Sequence, residues 1–282
     1  MNIAVASGKG GTGKTTIATN LAASVSRTGL AVQYLDCDVE EPNGHIFLKP
    51  NIECRDEVSV GVPEVDAEKC IGCGRCAELC QYSAITCVKG KVLVFEELCH
   101  SCGGCMAICP EQAITETPRT IGIAEFGTSD EIAFGHGKLN IGTIQTPALI
   151  KYVKQRARAD TLTILDVPPG TSCPVIEAIR NTDFVLLVTE PTPFGLNDLE
   201  LAVGMVRVLQ LPFAVAINRS DIGDDGVVQY CQREGIDILL DIPNDRKIAE
   251  AYSRGVMMID ATPEYKQKFL QLHDHISERI SV

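Results

Sequence analysis

Ser7-Gly8-Lys9-Gly10-Gly11-Thr12-Gly13-Lys14-Thr15-Thr16 stands between an apolar run, Ile3-Ala4-Val5-Ala6, and a segment, Ile17-Ala18-Thr19-Asn20-Leu21-Ala22, that reads as the first turns of a helix. The order is strand, glycine-rich loop, helix. Glycine admits backbone angles that a side chain forbids, so successive N–H groups can turn inward on an anion at the positive end of the helix. The pattern G-x-x-x-x-G-K-[ST] is met by Gly8, Gly13, Lys14 and Thr15. It assigns Lys14 to the β- and γ-phosphates of a nucleotide and the Thr15 hydroxyl to Mg²⁺.

Working outward, the 282 residues suffice for one large domain or two smaller ones, and a hydrophobic fraction of 45% is ample for a core. The formal charge of −12 argues against the basic surface that sequence-independent DNA binding needs. No apolar run of membrane-spanning length occurs, and the first strand begins at Asn2, leaving no room for a signal peptide, so a cytoplasmic location is expected. In that setting the 13 cysteines read as metal ligands rather than disulfides.

Their spacing supports this. Cys70, Cys73, Cys76 and Cys80 are followed by Cys99, Cys102, Cys105 and Cys109, the last preceding Pro110. Each run has the bacterial ferredoxin spacing, in which the fourth cysteine serves the other cluster. One [4Fe–4S] cluster is therefore assigned to Cys70, Cys73, Cys76 and Cys109, and a second to Cys99, Cys102, Cys105 and Cys80. Matching tails, Ser83-Ala84-Ile85-Thr86 and Gln112-Ala113-Ile114-Thr115, extend the repeat at an offset of 29. Gln81 replaces the proline in the first copy. Residues 58–118 hold four basic and eight acidic side chains, a charge that suits basic redox partners or simple solubility. A short hairpin is expected around Lys91–Phe95.

Elsewhere the chain alternates buried strands and helices, which implies an α/β fold with a mostly parallel sheet and helices on both faces. Ala31-Val32-Gln33-Tyr34-Leu35 ends on Asp36-Cys37-Asp38, and Thr161-Leu162-Thr163-Ile164-Leu165 ends on Asp166, before Val167-Pro168-Pro169-Gly170. Carboxylates at carboxyl ends of such strands lie where ligands bind. Phe184–Thr189 and Phe213–Ile217 are further strands, and Leu199–Leu209 an amphipathic helix. Glu40–Val62 reads as irregular, Thr120–Lys138 as a glycine-rich stretch with His136 exposed, and Cys37 and Cys173 as packed residues. Tyr265, Phe269, Leu272, Ile276 and Ile280 form one face of a terminal helix, read as core packing rather than a membrane anchor because its polar face is not strongly basic.

Lys9-Gly10-Gly11-Thr12-Gly13-Lys14-Thr15-Thr16 resembles the deviant Walker A loop, K-G-G-x-G-K-T-T, of the MinD, ParA, Mrp and nitrogenase iron protein family. The resemblance covers essentially the whole chain and implies a P-loop ATPase domain, residues 1–57 and 119–282, interrupted by a two-cluster ferredoxin domain, residues 58–118. It implies that Lys9 reaches the partner's ATP across an ATP-dependent homodimer, that Asp38 orients the attacking water with Asp36 as alternative or supporting residue, and that Asp166 supports Mg²⁺ while the Gly170 amide senses the γ-phosphate. Asn218 would recognise the adenine edge, with Pro243 of the Ile242-Pro243-Asn244-Asp245 loop as a further contact. Two functions are expected from different classes: ATP-gated one-electron transfer through the clusters to an unknown redox partner protein, or cluster assembly and transfer of the Mrp sort. A positioning ATPase with a redox sensor is the third, and lacks support from charge or tail.

Overall fold

The computed structural model describes residues 1–280. The chain divides into two compact units: Met1–Arg55, Ala124–Lys138 and the chain from Ile150 onward form the first, and Asp56–Ile123 with Leu139–Leu149 the second. The strands, in chain order, are β1 (Asn2–Ala6), β2 (Val32–Asp36), β3 (Asn51–Val65), β4 (Ile85–Val88), β5 (Lys91–Val94), β6 (Ile114–Ser129), β7 (Ile132–Leu139), β8 (Leu162–Asp166), β9 (Phe184–Thr189), β10 (Phe213–Asn218) and β11 (Ile238–Ile242). The α-helices are α1 (Lys14–Ser26), α2 (Gly44–Leu48), α3 (Arg75–Leu79), α4 (Gly104–Ile108), α5 (Thr146–Lys154), α6 (Cys173–Ile179), α7 (Pro193–Val208), α8 (Gly226–Glu234), α9 (Arg246–Ser253), α10 (Met258–Ala261) and α11 (Glu264–Ile280).

Nine strands form one sheet of order β11-β10-β9-β1-β8-β2-β7-β6-β3, in which the seven strands from β11 to β7, the framework of the first unit, run parallel. This is the mostly parallel α/β class expected from the alternation of elements. Strands covered on both faces read as unbroken apolar runs, and all of Phe184–Thr189 is buried. On one face α1 contributes Ile17, Leu21 and Val25 to a core shared with Tyr265, Phe269, Leu272 and Ile276 of α11. The spacing of those four α11 residues is one helical stripe, and it is spent on the core.

Three readings are corrected here. Glu40–Val62 is not irregular: it holds α2 and most of β3, a strand of 15 residues. Thr120–Lys138 holds most of β6 together with β7. Neither pattern was visible because β3 is largely exposed and so carries no apolar alternation, while glycines interrupt β6 and β7 for steric reasons. A Cβ on Gly127 would lie 2.0 Å from the Asn51 carbonyl oxygen, and one on Gly135 2.8 Å from the Phe126 ring. Helix α7 begins six residues before the expected start, at Pro193, because Thr192 accepts a hydrogen bond from the Gly195 amide and proline occupies the first turn.

In the second unit β4 and β5 form an antiparallel hairpin pairing Ile85 with Val94. The sequence repeat is also a repeat of backbone geometry. Helices α3 and α4 are five residues each and begin 29 residues apart, capped by Gly74 (φ 76°) and Gly103 (φ 72°). Positive φ recurs at the same offset at Gly72 and Ser101 and at Ser83 and Gln112. Cys80 and Cys109 close the two helices with φ −71° and ψ 108° and 113°.

Candidate functional site

The row of residues Val5, Asp166, Asp36 and His136 runs across β1, β8, β2 and β7 at their carboxyl ends. An open parallel sheet leaves its ligand crevice there. The loop Ser7–Gly13 leaves β1 at this edge and delivers the chain into α1, with Gly11 at φ 81° and Gly13 at φ 93°. Larger residues are excluded at two positions: a Cβ on Gly8 would approach the Asp198 carbonyl oxygen to 2.1 Å, and one on Gly13 the Asn218 amide nitrogen to 2.3 Å. The Asn218 Nδ2 donates to the Thr12 carbonyl at 2.9 Å, so this side chain braces the loop.

A cavity of about 420 Å³ opens over the loop. It brings together Gly10, Gly11, Gly13, Lys14, Thr15 and Thr16 on one side with Asp38, Asn218 and Pro243 on others. Glu41, Asn43 and Tyr252, which the sequence reading did not single out, line it as well. Gly8, Lys9, Thr12, Asp36, Asp166 and Gly170 stand outside that lining. Among them, Gly170 donates its N–H to the Ser7 carbonyl at 3.0 Å. Lys9 Nζ lies 3.8 Å from Glu190 Oε2, and Arg219 holds the other oxygen of that carboxylate at 2.7 Å.

Two buried acids support the crevice from below. Asp36 accepts from the amides of Asp38 (3.1 Å), Asn43 (3.1 Å) and Gly44 (2.9 Å), so it anchors the whole segment that follows β2. Asp166 Oδ2 accepts from the Tyr34 hydroxyl at 2.8 Å, while its Oδ1 is buried with no hydrogen-bond partner. Burial, together with the neighbouring Asp166 charge, pushes Asp36 well above the usual carboxylate range. Burial also raises Asp166, against the pull of Lys14, Thr15 and Tyr34. Asp38 is pushed up to about 6, by burial first and then by Asp166, with Lys14 opposing. An unsatisfied buried carboxylate oxygen beside a threonine hydroxyl and a second acid is a donor set that suits a hard, water-bearing Mg²⁺.

A further cluster went unread in the sequence. His136 was expected to be exposed; it is buried, its Nε2 paired with Glu125 at 2.8 Å, and Lys138 reaches the same carboxylate oxygen at 3.0 Å. Glu125 belongs to β6, a strand not foreseen, so its pairing carried no local signal. Burial works against the Glu125 charge, but hydrogen bonds from His136 and Lys138 prevail and hold its carboxyl below the usual range. Cys37 is packed as expected, whereas Cys173, at the start of α6, is exposed rather than buried. The α6 stripe formed by Val175, Ala178 and Ile179 faces the core instead.

In the second unit the cysteines fall into two groups. A cavity of about 280 Å³ is lined by Cys80, Cys99, Cys102 and Cys105, and one of about 20 Å³ by Cys70, Cys73, Cys76 and Cys109. Each thus combines three cysteines of one repeat with the fourth of the other. All eight of these cysteines are free thiols. Backbone amides point at the sulfurs: Ser101 N–H donates to Cys99 Sγ at 3.4 Å and Ala113 N–H to Cys109 Sγ at 3.3 Å. At Cys80 burial opposes ionisation, but amides from Tyr82 to Ile85 outweigh it and hold the thiol below its ordinary value. Among the described residues, no three His, Cys, Asp or Glu side chains are placed to hold one metal ion. A four-iron cube instead spreads its thiolates over four corners, and soft sulfur donors with amide support are the donor set it takes.

Cys87, which the spacing left out, donates its thiol toward the Gly72 carbonyl at 3.6 Å, beside the first cysteine loop. Among the described residues no helix is long and apolar enough to cross a membrane.

Comparison with known proteins agrees with the fold. An uncharacterized protein of Methanocaldococcus jannaschii is 30% identical over 99% of this chain and 96% of its own length. A Pyrococcus horikoshii protein named iron–sulfur cluster carrier protein is 27% identical over 99% of this chain and 86% of its own. The crystal structure of the cell division ATPase MinD of Pyrococcus furiosus superposes with a TM-score of 0.61 at 20% identity, covering 98% of each chain, a likeness of fold. The family model of the CobQ/CobB/MinD/ParA nucleotide-binding domain matches residues 3–258. With the glycine loop, the anchored acids and this match in agreement, the chain belongs to the CobQ/CobB/MinD/ParA nucleotide-binding domain family.

Proposed function

We propose that this protein is a dimeric ATPase in which Mg·ATP binding and hydrolysis gate one-electron transfer through two [4Fe–4S] clusters, held in an inserted ferredoxin-type domain at residues 58–118. The observation that carries the reading is the sorting of eight cysteines into two four-cysteine cavities, crosswise between the repeats. Four thiolates saturate a cluster, which suits retention and electron relay rather than release. When bound, such clusters supply a one-electron couple between a reduced donor protein and an acceptor.

At the nucleotide site, Lys14 and the loop amides would neutralise the phosphates, Thr15 and Asp166 would hold Mg²⁺, which would supply further charge neutralisation there, and Asp38 would orient the attacking water. Asp36 positions Asp38 by anchoring the segment that carries it. Lys9, about a third exposed and only loosely paired with Glu190, is free to exchange that contact for the partner's phosphates. Its electrostatic reward is larger there, because a triphosphate carries more charge than one carboxylate.

A second reading is a cluster carrier. It is favoured by relatives from Pyrococcus that bear that name. The two are separated by incubating anoxically prepared protein, loaded with about eight irons per chain, with an apo-protein that needs a cluster. Retained iron and sulfide, with ATP-dependent reduction of an acceptor dye, supports the relay. Stoichiometric loss of iron to the apo-protein would establish the carrier.

A further inference from the structure

We infer that Tyr34 is a positioning residue of the nucleotide site: its hydroxyl takes one oxygen of Asp166 and thereby fixes the other for Mg²⁺. The inference rests on the reading of Asp166 as an acid that holds Mg²⁺, and goes beyond it in naming the side chain that sets the carboxylate.

Tyr34 lies in the middle of β2, two residues before Asp36, and Asp36 stands opposite Asp166 in the register of β2 and β8. Side chains two apart on a strand share a face, so Tyr34, Asp36 and Asp166 lie on one face of the sheet. The Tyr34 hydroxyl reaches Asp166 Oδ2 and donates to it at 2.8 Å. The two acids are held differently. Asp36 accepts three backbone amides and is committed to the segment after β2. Asp166 has one oxygen on a hydroxyl, while its Oδ1 is buried and has no hydrogen-bond partner among the described residues. The terminal torsion of an aspartate has no sharp preference of its own, so anchoring one oxygen decides where the other sits.

The phenol is itself immobilised. It is fully buried, and the Phe134 ring of β7 stacks on it at 5.9 Å between centroids and 15° between planes. Gly44, at the start of α2, presses on its edge: a Cβ there would lie 2.4 Å from the hydroxyl oxygen. Core filling accounts for the ring and leaves the hydroxyl unexplained, since phenylalanine would occupy the same space with no buried polar group to satisfy. A buried carboxylate oxygen without a partner is equally costly in a folded chain, and a hard cation is what such an oxygen suits. One residue thus answers both questions.

The test measures ADP binding by calorimetry on the full chain, once with Mg²⁺ and once with excess EDTA. Tyr34→Phe keeps the ring and removes the hydroxyl. It should leave binding in EDTA unchanged and cut the gain in affinity that Mg²⁺ brings by about tenfold, the scale of one hydrogen bond to a charged group. In ATP turnover the half-saturating Mg²⁺ concentration should rise while the rate at saturating Mg²⁺ is kept. Asp166→Asn should remove most of the Mg²⁺ gain, and adding Tyr34→Phe to it should cost nothing further, because the hydroxyl acts through that carboxylate. An undiminished Mg²⁺ gain in Tyr34→Phe would overturn the inference alone. So would additive losses in the double variant, or equal losses with and without Mg²⁺, which mark a packing role. A wild-type chain whose ADP binding ignored Mg²⁺ would overturn it together with the reading of Asp166.

Discussion

The two compact units of this protein are stabilised by different means. The first buries a long list of aliphatic and aromatic side chains in one continuous core, from Ile3 of β1 to Ile276 of α11. Among the described residues, the second shows small clusters, Val62 with Ala84 and Cys99, and Cys76 with Ile85 and Ile114, in which cysteines stand where a core would need leucines. Several of its large apolar residues lie open, among them Ile71 at 66% and Leu93 at 50% exposure. A unit of this size is too small to be stable on so little burial. On the proposed reading, clusters held by the cysteines would therefore be part of its fold, whereas the nucleotide site is framed by the core of the first unit.

The largest expected effect follows directly. Removing iron by chelation, or replacing Cys76 or Cys105 with serine, should unfold Asp56–Ile123 and leave the first unit intact. Hydrogen exchange resolved along the chain reads this: protection lost over β4 and β5 and retained over β1 and β8. Uniform loss, or none, would break the contrast. By comparison Cys231→Ala, at a packed position of the first unit, should cost only about 1–2 kcal/mol.

Next in size, Lys14→Ala should lower ATP turnover by about a thousandfold, and Lys9→Ala should abolish ATP-dependent dimerisation in sedimentation. Iron content and the protection of the second unit should be unchanged in both. Loss of clusters in either variant would mean that the units depend on each other for folding.

The smallest effect concerns His136. Burial holds its pKa below the ordinary value, although Glu125 opposes this; Lys138 and His45 also face the pair. The neutral form is thus favoured in the folded state, so its contribution is present above about pH 6.5, the unfolded value, and is lost as the pH falls below it. Urea midpoints measured between pH 7.5 and 5.5 should fall, and His136→Gln should flatten the slope.

Legibility in the sequence followed the same division of forces. The β1–loop–α1 unit, the acids ending β2 and β8, and the cysteine repeats could be read because each is a local pattern imposed by glycine conformation, strand burial or ligand spacing. Strands β3 and β6 could not: their exposed faces have no apolar period, and their glycines answer to neighbours far along the chain, as Gly127 does to Asn51. The bracing of the loop by Asn218, the burial of His136 against Glu125, and the Tyr252–Phe47 pair are long-range contacts between segments that carry no mutual signal. Cys173 misled for another reason. The residues that follow it are apolar, but the α6 stripe turns Val175, Ala178 and Ile179 inward and leaves it outside.

On the proposed reading, nucleotide bound in the first unit sets the redox properties of clusters held in the second. This is tested most directly by the midpoint potential of the clusters, measured on anoxically prepared protein without nucleotide, with Mg·ADP and with Mg·ATP, and repeated in Asp38→Ala. A shift is expected on adding nucleotide, of about 59 mV for each 1.4 kcal/mol of coupling in a one-electron couple, persisting with ATP in Asp38→Ala, in which hydrolysis should be blocked. Identical potentials in all states would contradict it.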